Sequence, residues 1–292
     1  MTIVLDDGAV TARLRPGPAV AAMRSAVLAA YRGELIAPPR VHADVLTFTA
    51  GRLPGRWYGY RSYDTHAGGQ QVVAVHAEPS GDLAGLAVGS ALGACRTGAL
   101  GGAAADVLAR PDAATAGVVG AGRQAWTQLW ALCAVRQLTD VAIYSPTPGR
   151  RDALAARVQA DLGIASHATG NAREAVTGRD IVVLATSSAV PVLDASWLSP
   201  GTALTTVGPK QAGCAEFGPD LPARAELIVT DSLPQLRAYD PPALLASTPA
   251  VPLGAVLAGE HPGRTHADAI TIYASVGLAG TEPYLLADLL GL

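Results

Sequence analysis

The chain has 292 residues, 50% of them hydrophobic and 15% charged, which is enough to enclose one large or two medium cores and is far from a disordered composition. A formal net charge of -3 without any Lys/Arg run excludes the field that gathers nucleic acid. The longer apolar stretches, around 19–30 and 83–94, are broken by Arg24, Ser25, Gly85 and Gly89 and fall short of the roughly 20 apolar residues of a membrane span.

Met1 to Asp7 carries acid where a secretory signal carries base, so a cytoplasmic protein is expected. Three widely spaced cysteines, Cys95, Cys133 and Cys214, read as reduced thiols, with neither a disulfide framework nor a metal site. From Pro18 to Tyr31, the apolar positions Val20, Met23, Val27, Leu28 and Tyr31 recur at helical spacing until Gly33 stops the run. After Ala37-Pro38-Pro39 the pattern turns to strands: Leu46 to Thr49, Trp57 to Tyr63 and Gln71 to His76. Pro79-Ser80-Gly81-Asp82 then joins Val72–Ala77 to Leu83–Val88 as a hairpin. Ala91 to Leu108 is a helix of very small residues, ended by Arg110-Pro111-Asp112.

Beyond it the rhythm is strand, helix, strand: Thr115 to Val119, Gln124 to Val135, Asp140 to Tyr144, Arg151 to Leu162. Such alternation predicts an α/β fold, a Rossmann-type doubly wound parallel sheet with helices on both faces. Asp180 to Thr186 has the continuous apolar character of a strand covered on both sides, and Thr202 to Val207 and Glu226 to Thr230 add two more. The Pro-rich stretch from Pro241 to Pro252 reads as a surface connection.

Between the first of these strands and its helix stands Gly120-Ala121-Gly122-Arg123-Gln124-Ala125. A turn of the form Gly-x-Gly-x-x-Gly/Ala in that context lets backbone approach a pyrophosphate, whose charge sits at the helix N-terminus. Domains that prefer NAD place an acid at the end of the second strand, and this chain has none there. Ser145, Thr147, Arg150 and Arg151 stand there instead, offering hydroxyls and guanidinium groups to a 2′-phosphate, although the arginine pair also suits the solvated start of the next helix. NADP(H) is therefore favoured, with NAD(H) possible.

Five motifs, in order and spacing, resemble the ornithine cyclodeaminase and μ-crystallin family. They are Cys95-Arg96-Thr97-Gly98-Ala99, Arg110-Pro111-Asp112-Ala113, Val119 to Ala125, Leu184-Ala185-Thr186-Ser187-Ser188 and Ala274-Ser275-Val276-Gly277-Leu278-Ala279. The resemblance implies a mixed α/β substrate and dimerisation domain from 1–112 and 270–292, a nucleotide domain over 113–269, and a homodimer formed through the N-terminal sheet. It also implies cofactor contacts at Thr186, Ser187, Gly208 and Ser275, and a carboxylate clamp at Arg96 and Arg40. A planar guanidinium can hold a carboxylate bidentately and fix the α-carbon beside a nicotinamide.

Two positions depart from the family. Arg61 stands where many relatives have lysine, and arginine effectively cannot exchange its proton, so Arg61 is cast as an electrostatic or carboxylate-binding group. Lys210, in Val207-Gly208-Pro209-Lys210, stands where cyclodeaminases have an aspartate, and is the candidate proton donor. Asp64 and His66, just past Arg61, are titratable groups suited either to proton transfer or to a loop.

The leading functional expectation is an NAD(P)H-dependent oxidoreductase that reduces a small imine or ketimine acid, or interconverts an amino acid and its keto acid. The alternative is a cyclodeaminase of ornithine or lysine using bound NAD. A second alternative is a cofactor-binding dimer without catalysis.

Overall fold

The computed structural model describes residues 1–64 and 70–292. A six-stranded sheet comes first, from β1 (Ile3–Leu5), β2 (Val41–Ala43), β3 (Leu46–Leu53), β4 (Trp57–Asp64), β5 (Val72–Ala77) and β6 (Leu83–Val88), in the order β1-β6-β5-β4-β3-β2. All neighbours are antiparallel except β1, which runs parallel to β6. The expected hairpin of β5 and β6 is present. Alternation along β4 turns Trp57, Gly59 and Arg61 inward and leaves Tyr58 and Tyr60 exposed, as the period of two in a strand requires.

Helices α1 (Asp7–Arg13), α2 (Pro16–Tyr31) and α3 (Ala91–Leu108) accompany this sheet. Met23, Trp57, Val73, Val75, Leu100, Leu285 and Leu286 share one core, so both early helices and the C-terminal helix pack with it. The small residues of α3 serve a close approach: a Cβ added at Gly98 would lie 2.2 Å from the Thr127 carbonyl oxygen of α4 (Arg123–Leu132). Gln128 of α4 also donates to the Thr97 carbonyl at 3.1 Å.

Eight further strands form an entirely parallel sheet: β7 (Thr115–Val119), β8 (Asp140–Tyr144), β9 (Ala165–Ala168), β10 (Ile181–Leu184), β11 (Ala203–Thr206), β14 (Leu227–Thr230), β15 (Val251–Pro252) and β16 (Thr271–Ala274). Between β11 and β14 lies a small hairpin, β12 (Lys210–Gln211) with β13 (Cys214–Ala215). The order in the large sheet is β15-β14-β16-β11-β10-β7-β8-β9. Ile181 and Val183 belong to one core and Val182 and Leu184 to another, so the sheet is covered on both faces. Helices α5 (Pro148–Leu162), α6 (Ala172–Val176), α7 (Leu221–Arg224), α8 (Leu233–Arg237), α9 (Leu253–Leu257) and α10 (Thr281–Leu290) complete the fold.

Several boundaries differ from the sequence reading. Helix α5 opens at Pro148 rather than Arg151, because proline suits the first helical turn, where its missing N–H is not needed. The stretch 241–252 is more than a surface connection. Ala243 and Leu245 are buried, Leu244 donates its N–H to the Lys210 carbonyl at 2.8 Å, and Val251–Pro252 is the edge strand, where proline costs no ladder bond. The segment 270–292 is shared between the sheets: β16 lies between β11 and β14, whereas α10 packs on β4 and β5. All four residues of β16 are buried, so their backbone groups need partners on both sides. No helix among the described residues is long and apolar enough to cross a membrane, and all three cysteines are free.

Candidate functional site

Because the large sheet is parallel, the C-terminal ends of its strands lie along one edge, where α/β sheets bind ligands. At that edge β7 turns sharply through Gly120, whose φ of +118° and would-be Cβ contact of 2.3 Å with the Ala185 oxygen admit only glycine. Gly122 then caps α4 without a side-chain bond, and nothing lies within 4 Å of where its Cβ would be. The first turn of α4 holds Arg123, Gln124 and the buried Ala125, and no acid. Uncapped N–H groups facing open space at a helix start suit a pyrophosphate, so the residues present fit a dinucleotide.

The next strand end supplies a buried Ser145, whose carbonyl accepts from Arg151 Nη1 at 3.1 Å. Arg151 also lies over the Tyr144 ring, whereas Thr147 and Arg150 are exposed. Farther along the edge, Glu216 is fully buried and accepts from Thr186 N (3.0 Å), Thr186 Oγ1 (2.9 Å), Thr206 Oγ1 (2.7 Å) and Gly208 N (2.7 Å). Thr186 and Gly208 are thus held as one knot, with Ser187 exposed beside it. Ser275 is buried at the end of β16, its N–H on the Thr206 carbonyl.

Opposite this edge the small sheet, α3 and α10 assemble a cluster of charge. Gly59 leaves room on β4 for the start of α10, since a Cβ there would come within 2.8 Å of Pro283. That approach brings Glu282 to Arg61 and Arg96, and its Oε1 accepts from both guanidinium groups. All three side chains are buried. Burial pushes the Glu282 carboxyl upward, but the Arg96 and Arg61 charges outweigh it and hold it at about 2. Arg61 Nη2 also donates to Gln71 at 2.8 Å, and its guanidinium lies 4.0 Å from the Tyr63 ring centroid. Burial, and to a lesser degree the charge of Arg96, press the Arg61 pKa below its usual value against the pull of Glu282.

Arg40 joins the cluster through the turn after β16. Its Nη2 donates to the Val276 and Gly277 carbonyls at 3.3 and 3.4 Å. A Cβ on Gly277, whose φ is +85°, would sit 2.9 Å from Arg40 Nη2 and 3.7 Å from Arg96 Nη1. Asp231, at the end of β14, builds this turn by accepting from the N–H groups of Val276, Gly277 and Leu278 at 2.8, 2.9 and 2.8 Å. Among the described residues, the buried Nε atoms of Arg40, Arg61 and Arg96 have no hydrogen-bond partner. One carboxylate shared by two buried arginines, with a third nearby, leaves net positive charge and open donors for an anion.

Lys210 lies at the same sheet edge, 2% exposed, with Nζ donating to the carbonyls of Gly208 at 2.5 Å and Val207 at 3.5 Å. Burial lowers its pKa to about 8, opposed in part by Glu216 and Asp231. The structure therefore brings Arg40, Arg61 and Arg96 together and turns the Lys210 ammonium toward backbone at the neighbouring strand end. Asp64 ends β4, and His66 lies outside the described residues. Sequence reasoning missed Glu282, Gln71, Glu216 and Asp231. For Glu282 a signal existed, an acid set before proline in the apolar run from Ala269 to Leu292.

A cavity of about 330 Å³ lined by Arg61, Gln71, Ser90, Thr97, Arg123 and Gln124 joins the two halves of the site. An arginine of the anion cluster and the start of the nucleotide helix thus face one space. The ornithine cyclodeaminase/mu-crystallin family model matches residues 31–283. The chain belongs to this family. Within it, a protein of Rhizobium meliloti that carries the name of a dehydrogenase is 41% identical over 201 residues, 66% of this chain and 60% of its own length. The Delta(1)-pyrroline-2-carboxylate reductase of Bacillus cereus is 33% identical over 208 residues, covering 68% of this chain and 64% of the reductase. The matched stretch therefore spans less than two thirds of these relatives. An archaeal alanine dehydrogenase dimer with bound NAD superimposes with a TM-score of 0.88 at 25% identity, covering 99% of this chain and 95% of that one.

Proposed function

We propose that this family member is a nicotinamide-dependent oxidoreductase that reduces a small imine or ketimine acid, or runs the same step in reverse on an amino acid. The observation that carries the reading is the cavity shared by Arg61 and the uncapped start of α4, with Arg96 and Arg40 beside it and a single carboxylate, Glu282, shared between Arg61 and Arg96. The pyrroline-carboxylate reductase and alanine dehydrogenase among its relatives support it, since both names describe chemistry at a carbon bearing nitrogen next to a carboxylate.

When bound, the nicotinamide would supply or accept hydride at that carbon. The turn from Gly120 to Ala125 would hold the pyrophosphate, with Arg123 and Gln124 at its flank and Thr186, Ser187, Gly208 and Ser275 along the edge. Arg40, Arg61 and Arg96 would clamp the carboxylate. Arg61 keeps its proton throughout, because a guanidinium does not deprotonate in this range. Lys210 is the candidate for holding a proton at Nζ and releasing it near neutrality, as a pKa of about 8 allows. Cyclising deamination is the less supported reading, since a buried ammonium stands where the family's cyclodeaminases use a carboxylate.

For the finer points, Ser145, Thr147, Arg150 and Arg151 favour NADP(H) over NAD(H). The substrate and dimerisation unit would take 1–112 with α10, the nucleotide unit the large sheet, and two copies would pair through the small sheet. A panel of keto acids with ammonium or methylamine, and of cyclic imino acids, each assayed with NADPH and NADH, tests the proposal. Substrate-dependent oxidation is the expected result. Silence across the panel and across amino acids in the oxidative direction counts against it.

A further inference from the structure

A second cavity, of about 640 Å³, has Arg40 of the arginine cluster in its wall. Gly277 also forms part of that wall, Arg40 Nη2 donates to the Gly277 carbonyl at 3.4 Å, and a Cβ on Gly277 would sit 3.7 Å from Arg96 Nη1, so the cavity begins beside the arginines that would clamp a carboxylate. Its remaining wall is chiefly apolar, with Val27 and Ala30 from α2, Leu35, Pro38, Leu233 and Leu278. Four of the polar side chains that reach it are engaged elsewhere, and the Gln235 amide adds a neutral polar group to the wall. Both Asp231 oxygens accept from the 276–278 turn, Tyr31 donates to Glu260, Ser232 Oγ accepts from Gln235 N, and His42 pairs with Thr47. Among the described residues that line it, the one carboxylate is that of Asp231, which already accepts three N–H groups of the 276–278 turn and keeps about one acceptor site, so it is a poor partner for a second ammonium.

From this juxtaposition we infer that the cavity receives the substrate's side chain, and that the substrate is an imino or amino acid with a branched or aromatic apolar side chain, not a diamino acid. A volume within the usual range of about 300–1,000 Å³ for small-molecule pockets, apolar walls and a charged mouth are the features of a site that fixes a carboxylate and buries an apolar tail. The inference rests on the oxidoreductase reading for its chemistry and on the cavity for its selectivity.

Two measurements separate these. In the first, imines of pyruvate, 4-methyl-2-oxopentanoate, phenylpyruvate and a 2-oxo acid with a terminal ammonium are compared by kcat/KM. The apolar bulky substrates are expected to exceed both others by about tenfold or more. Ala30→Phe, which fills the cavity from α2, is expected to remove about tenfold from the bulky substrates and to leave pyruvate within about twofold. Ala238→Trp, on the exposed rim, repeats the test should the first variant fail to fold by circular dichroism.

In the second, L-leucine, L-phenylalanine, L-alanine and L-ornithine are titrated calorimetrically into wild type and variants. Tighter binding of the apolar amino acids, lost in the variants, upholds the cavity assignment even if no imine is reduced, in which case the oxidoreductase reading falls alone. Turnover without apolar preference, or with equal losses for pyruvate and phenylpyruvate in the variants, overturns the cavity assignment and leaves the reaction standing. Neither turnover nor selective binding overturns both.

Discussion

Glu282 is the residue on which the anion cluster depends, since among the described residues it alone is bonded to both Arg61 and Arg96. Its carboxyl, held at about 2 from an ordinary 4.5, contributes stability that is fully present above pH 4.5 and is lost as pH falls toward 2. Urea denaturation across that window should show the loss. Glu282→Gln should flatten it and cost about 3–5 kcal/mol at pH 7, because two buried guanidinium groups lose their counter-charge. Lys210 gives a pH slope of the same sign but is a cost at neutral pH where Glu282 is a gain. With its pKa lowered from 10.5 to about 8, the unfolded chain binds more protons between those values, so stability rises with pH through that window and the burial penalty is felt in full below it. Lys210→Met should therefore stabilise the fold by about 1–3 kcal/mol at pH 7, while lowering kcat by about 10²–10⁴ if Lys210 supplies a proton. Unchanged turnover in that variant would remove Lys210 from the chemistry. The arginines were legible because a resemblance marked them. Glu282 carried only a weak mark, since an acid before proline at a helix's first turn ordinarily answers only to the helix dipole.

At the scale of elements, α3 and α4 form the joint between the two halves of the site. Arg96 rides on α3, and the glycine turn opens α4, so their mutual distance is set where Gly98 meets the Thr127 carbonyl. A methyl group at 2.2 Å from backbone cannot be absorbed by a rotamer change, so Gly98→Ala should destabilise by about 1–3 kcal/mol and push the helices apart. If the joint positions Arg96, kcat/KM for the imino acid should fall by more than stability explains, with cofactor affinity, read by tryptophan quenching, changed less. The sequence disclosed those elements whose pattern is strong: β7 and β8 match their expected limits, and α3 is a run of small residues bounded by proline. Short elements stayed hidden. Ala165–Ala168 of β9 contains Ser166 and His167 and only half buries its side chains, and β15 has two residues, one of them proline. Neither has a periodicity to read, and each forms only because a longer neighbour offers a free edge.

The whole molecule places two demands on strand β4. Its inward residues carry Arg61 to the anion cluster, while its outward residues, with those of β2 and β3, present Val41, Phe48, Tyr58 and Tyr60 to solvent at 38–59% exposure. Cross-strand register sets Val41 opposite Phe48 and Tyr60 opposite Ala50, so apolar side chains share this face with the polar Ser62, Arg52 and His76. Faces of that kind mark association surfaces, and the NAD-bound alanine dehydrogenase relative is a dimer. If two copies pair through this face, Phe48→Asp combined with Tyr60→Asp should shift the species seen by light scattering from twice the chain mass to 29.6 kDa. The melting temperature of the parent should rise with protein concentration, and that of the variant should not. A consequence for the site follows from the shared strand. Losing the outer support of β4 should loosen the Arg61–Glu282 pair one residue away on the opposite face, raising KM for the imino acid while leaving the nucleotide edge, built on the other sheet, near its parent affinity. A variant that becomes monomeric with KM unchanged would show that β4 is rigid on its own and that dimerisation serves something other than the site. One that stays dimeric would place the contact on another surface of the chain.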